Sequence, residues 1–161
     1  MTKRVRLIKI TRWIAVVLSA FAISTILFPF ASETLLDGTI VYYPTITAII
    51  GGDFTYSDLS NTYIQTFHIN IWLIITYQLA WLSSVAFFFS GRKKTNLIFA
   101  LVLAFISMVA MIFMPYIVRF STPGFVLSGV RIGYGPMLGA AALLLSQITA
   151  LFHILIDERY R

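Results

Sequence analysis

Residues 71–90 read IWLIITYQLAWLSSVAFFFS and run straight into Gly91-Arg92-Lys93-Lys94. At 1.5 Å per residue, such a helix matches the roughly 30 Å hydrocarbon core of a bilayer. It carries no charged side chain, and its polar groups are Gln78 and a few hydroxyls. A soluble helix of this length keeps a polar stripe, so this run reads as a membrane span, with Trp72 and Tyr77 towards one interface and Trp81 deeper. The cluster Arg92-Lys93-Lys94 then turns the chain back.

Three further spans follow from the same reading. Leu97 to about Val118 forms the next and ends in Met114-Pro115-Tyr116, and Pro136 to Ile156 forms the last. Upstream, about Trp13 to Phe30 follows Lys3, Arg4, Arg6, Lys9 and Arg12 and closes on Phe28-Pro29-Phe30. A basic start before an apolar run also resembles a secretory signal, with Ala20-Phe21-Ala22 as a small-x-small cleavage site. The apolar stretch before Ala20 is short, however, and Ile23 to Phe30 continue it without a polar break, which favours a retained anchor. The expected fold is an all-α transmembrane four-helix bundle forming a single domain over 1–161, with external loops at 32–69 and 119–134.

Composition agrees with lipid as the main solvent. Of 161 residues, 59% are apolar and 11% charged, more apolar surface than a soluble core of this size hides. With no cysteine, disulfides, thiolate metal sites and thiol nucleophiles are excluded. The net charge of +6 sorts by position: Arg119 and Arg131 fall on the side of the two long loops, and the other ten of the twelve basic residues fall on the opposite side. With the acidic residues included, that opposite side carries +8 and the loop side −2. Lys and Arg are retained in the cytoplasm, so both termini are expected there, in the cell membrane, with the acidic loops outside. Basic residues placed this way are topology signals, and no nucleic-acid partner is expected.

The first external loop holds Glu33, Asp37, Asp53 and Asp58 but no Lys or Arg. Its segment Thr39 to Ile50 (TIVYYPTITAII) is rich in β-branched and aromatic residues and meets a turn signal at Gly51-Gly52-Asp53, before Phe54-Thr55-Tyr56. A short hairpin is expected there, and then a helix capped by Ser60 that begins above the membrane as NTYIQTFHIN. Tyr42, Tyr43, Ile46, Asp53, Phe54 and Tyr56 either pack as a small β-prone cap or form a patch for a partner. The stretch FVLSGVRI (125–132) is a candidate extra strand for that cap.

Phe28-Pro29-Phe30 and Met114-Pro115-Tyr116 also echo one another. Each precedes an external loop and a returning helix with one internal amide, Gln78 or Gln147, as a duplicated helical hairpin would give.

Chemistry is scarce. No Asp, Glu, Lys or Arg falls in the middle of a span, where proton relays and ion pathways usually place them. His68 and His153 are expected at opposite ends of the bilayer, so they do not share a metal. Gln78 and Gln147 are expected to bond between helices, and Gly135 and Gly139, at GxxxG spacing, to let backbones approach closely. No catalytic triad, HExxH or P-loop arrangement occurs. Neither catalytic, cofactor-binding nor metal-binding residues are therefore expected.

At the level of topology the chain resembles the claudin and tetraspan arrangement, but the first loop has neither the Trp nor the Cys of the claudin signature. More closely, GTIVYYPTITAIIGGD (38–53) after a helix ending in FPF, with GYGPMLGAAALLL (133–145) opening the last helix, resembles small uncharacterised four-helix integral membrane proteins of Gram-positive bacteria and their wall-less relatives. That resemblance implies the bundle and supplies no catalytic residues. The expected function is that of a non-enzymatic membrane protein with membrane lipid as its solvent, an accessory or assembly subunit binding another membrane protein or itself. An oligomeric channel or small-solute transporter is the alternative.

Overall fold

The computed structural model describes residues 3–59, 61–90, 94–127 and 129–156. In chain order it runs α1 (Lys3–Ser24), a 3-10 turn (Thr25–Leu27), β1 (Pro29–Thr34), β2 (Ile40–Pro44), α2 (Thr45–Ile50), β3 (Gly52–Ser57), β4 (Thr62–Phe67), α3 (Ile71–Phe89), α4 (Lys94–Ile112), α5 (Met114–Ser121), β5 (Val130–Ile132) and α6 (Tyr134–Ile156). Four helices, α1, α3, α4 and α6, are long and apolar enough to cross a membrane. The molecule is mostly helical, but it is not all-α. The segments between α1 and α3, together with β5, build two small sheets, because their β-branched and aromatic residues alternate sides and pair across short turns.

The four long helices form a ring in which α1 touches α3 and α6, and α4 touches the same two. Small residues make the seams. Ala15, Ala22, Ala80, Ala100, Ala104 and Ala150 are essentially inaccessible, which lets backbones approach where lipid offers no hydrophobic drive for association. Hydroxyls stitch the same seams. The Ser19 and Ser146 hydroxyls meet at 3.1 Å between α1 and α6. Ser84 Oγ donates to Val16 O at 3.1 Å, and Ser107 Oγ donates to Thr76 O at 2.9 Å, joining α3 to α1 and α4 to α3.

Several boundaries differ from the sequence expectation. The first helix begins at Lys3 and gives way to the 3-10 turn before Phe28, so Phe28-Pro29-Phe30 leads into β1 and does not close a helix. Proline is tolerated at a strand's first residue because no ladder donor is needed there. Pro115 lacks the N–H that would reach Met111 O, and α4 ends at Ile112, with α5 continuing from Met114 to Ser121. The two echoing triplets thus open a strand in one half and a helix in the other.

The 62–67 stretch is a strand, paired with β3 from Gly52↔Phe67 to Ser57↔Thr62. Ser60 lies outside the described residues. The cap of α3 is Asn70, whose Oδ1 accepts from the N–H groups of Trp72 (3.1 Å) and Leu73 (3.2 Å). Its amide nitrogen donates to Ile117 O at 3.2 Å and Ser121 Oγ at 2.5 Å, tying α3 to α5. Thr45 to Ile50 form a six-residue helix despite their strand propensity, because this shape buries Thr45, Ala48 and Ile49, and Gly51 at φ +80° ends it. The expected hairpin over 39–56 is replaced by two others, β1–β2 and β3–β4. β5 does join the cap, pairing antiparallel with β1 to complete a sheet of order β2-β1-β5.

Candidate functional site

The cap is held by a cluster of six rings. Phe30 sits at its centre, 0% exposed, 5.7 Å from Phe125, 6.0 Å from Phe67 and 6.1 Å from Tyr43 between ring centroids. Tyr43 lies edge-on to Phe125 at 5.4 Å, Phe54 at 5.7 Å and Tyr56 at 5.9 Å, the offset geometry that ring quadrupoles favour. Its hydroxyl donates to Glu33 Oε2 at 2.7 Å. Burial, reinforced by the hydrogen bond to Glu33, pushes the Tyr43 phenol well above its ordinary range, so the hydroxyl stays a neutral donor.

The six loop residues singled out in the sequence therefore do not share one surface. Tyr43, Phe54 and Tyr56 belong to the aromatic core. Tyr42 is exposed and stacks on Tyr134 at 6.3 Å, joining β2 to the start of α6. Ile46 is exposed on α2. Asp53 accepts from Thr66 Oγ1 at 2.7 Å, inside its own hairpin.

What the sequence reading missed is the tip of the cap. The β1–β2 turn runs Leu35 to Thr39, with Gly38 at φ +86°, and in the β3–β4 turn Asp58 N donates to Asn61 O at 3.0 Å. Asp37 fastens the two together. Its Oδ1 accepts from Thr39 N at 2.9 Å, and its Oδ2 accepts from Thr39 Oγ1 at 2.7 Å and from Leu59 N at 3.2 Å. The Thr39 hydrogen bonds hold the Asp37 carboxyl below its ordinary pKa. Asp58 braces the second turn by accepting from Asn61 N at 2.7 Å and Tyr63 OH at 3.0 Å. Between these anchors Leu36 is fully exposed and Leu59 is 91% exposed. Asp37-Gly38 between two β-prone runs was the available signal for the first turn; the contact between the turns spans 22 positions and has no local signature.

The residues expected to pack helices divide. A Cβ on Gly139 would stand 2.5 Å from Met111 Sδ and 2.8 Å from Thr25 Oγ1. One on Gly135 would stand 3.0 Å from the carbonyl oxygens of Thr25, Phe28 and Pro29. Both glycines thus serve packing within one chain. Gln147 is half-buried and points its amide at Met108 Sδ, 3.8 Å away. Gln78 instead faces outward from the ring. It lines a groove of about 390 Å³ with Ile23, Ile26, Tyr77 and Trp81.

His68 is exposed at the base of the cap, while His153 is buried at the other end of α6 with its Nδ1 3.3 Å from Thr11 Oγ1. Among the described residues no group of three His, Asp or Glu side chains is placed to hold a metal ion. Comparison with known protein families and with curated proteins finds no match.

Proposed function

We propose that this chain is a non-enzymatic, multi-pass protein of the cell membrane, with both termini cytoplasmic, that acts as an accessory or assembly subunit by binding another membrane protein through the tip of its outer cap. The observation that carries this reading is that Leu36 and Leu59 stand almost fully exposed on two turns that the Asp37 staple ties together. A fully buried leucine contributes about 1.5–3 kcal/mol relative to an exposed one, so two of them on braced turns form a preorganised anchor. Asp37 and Asp58 flank the pair, and an apolar pocket with a basic rim is the complementary surface. The orientation rests on the Lys and Arg bias.

A pore through one bundle fits less well, because Ala22, Ala80, Ala100, Ala104 and Leu143 fill the interior. The test has two arms. A membrane-impermeant maleimide should label Leu36→Cys in intact cells, and labelling only after lysis would reverse the orientation. A mild-detergent pull-down through a C-terminal tag should bring down one stoichiometric membrane protein, and the Leu36→Ser/Leu59→Ser variant should lose it at unchanged yield. Retention of the same partner by that variant would remove the tip from the account.

A further inference from the structure

Gln78 is the eighth residue of α3, about 10 Å below the helix's outer end. Its side chain is exposed on the outside of the ring and makes no hydrogen bond within the chain. In water this would be ordinary. In a bilayer, an exposed primary amide leaves two donors and an acceptor facing hydrocarbon, which is unfavourable until they are paired. The remaining exposed side chains on that face are apolar: Ile71, Ile75, Leu82 and Phe89 flank Gln78 at alternating four- and three-residue steps, with half-buried Val85 completing the series. That is the spacing of a left-handed helix seam with one polar position. The groove beside it, walled by Ile23, Ile26, Tyr77 and Trp81, has room for a side chain from a facing helix.

We infer that α3 pairs with α3 of a second copy of this chain, in a twofold dimer whose axis runs along the membrane normal and whose centre is Gln78 against Gln78. The self-complementarity of the group selects this occupant. Copies inserted with the same orientation hold each residue at the same depth as its own counterpart. An amide is donor and acceptor at once, so two such groups satisfy each other without a partner of different design. The dimer rests on α3 crossing the bilayer and is independent of what the outer tip binds.

Because the chain lacks cysteine, disulfide trapping reads the interface directly. In native membranes under mild oxidation, Ile75→Cys and Leu82→Cys, one turn either side of the intact amide, should give a dimer of this chain. Leu144→Cys, exposed on α6 across the ring, should remain monomeric. Adding Gln78→Leu to Ile75→Cys should weaken the dimer roughly three- to twentyfold, the range for one interhelical hydrogen bond in lipid, and Gln78→Asn should restore part of it. Carbonate extraction of the same membranes reports separately whether the chain is embedded. An embedded chain that gives no dimer from either α3 cysteine, an adduct to a different protein in its place, or a dimer insensitive to Gln78→Leu would each overturn the inference.

Discussion

An exposed leucine means different things in the two halves of this molecule. On the ring of α1, α3, α4 and α6, exposed apolar side chains such as Val17, Phe105 and Leu145 are what lipid requires and say nothing about partners. In the cap, Leu36 and Leu59 face water, and their exposure calls for an explanation. The reverse holds for polar groups. Exposed Asp53 is ordinary in the cap, whereas exposed Gln78 on the ring is the outlier. Solvent decides which residue is informative, so the same accessibility must be read against two different media.

The glue differs too. The cap is held by ring stacking and strand pairing, the ring of helices by alanine seams and hydroxyl bonds. Phe30→Ala should have the largest effect, costing the cap about 3–5 kcal/mol by removing a fully buried ring. Hydrogen exchange in detergent should show β1, β2 and β5 losing protection while the four long helices keep theirs. Simultaneous loss in the helices would mean that the two regions fold as one unit. Gly133→Ala sharpens the joint between them. Its Cβ would overlap Pro29 O and stand 2.7 Å from Ala31 N and Phe30 C, all backbone atoms that cannot rotate away. A destabilisation of about 1–3 kcal/mol is expected in thermal unfolding.

Asn70→Ala removes the α3 cap and the tie to α5 together, and should cost about 1–2 kcal/mol by the same measurement. Ser19→Ala should cost only about 0.6 kcal/mol, because hydroxyls in the membrane-embedded unfolded state also find partners. The smallest global effect belongs to acid. With its pKa lowered in the folded state, the Asp37 staple contributes near neutrality, and this contribution is lost as pH falls through that lowered value. Exchange at the Thr39 and Leu59 amides should rise there, with the aromatic core unchanged; equal loss across the cap would place the strain elsewhere.

Much of the ring was legible because a bilayer imposes a length and a polarity on each span. Ile71 to Ser90 was read to within a residue of α3, and α6 to within two of its start. The breaks were harder. Pro115 was visible, but whether a proline ends a helix or kinks it depends on what receives the next turn, here the burial of Met114 and Val118. Within the cap, propensity indicated strands without saying which segments pair. Thr45 to Ile50 went to a helix because tertiary burial outweighed a β-branched run, and β1 pairs with β5 across about a hundred positions. Of the candidate site, the aromatic residues were found as a group; their division into core and surface required the fold, and the leucine tip depended on a contact between two turns.

Site-specific photocrosslinking in intact cells asks whether the tip of the cap binds another membrane protein. A photoreactive residue at Leu36 or Leu59 should give one adduct of the same mass to a single membrane protein, with none from a lipid-facing control at Phe105. Absence of an adduct from both tip positions, at normal membrane level of the chain, would mean that the tip binds no partner.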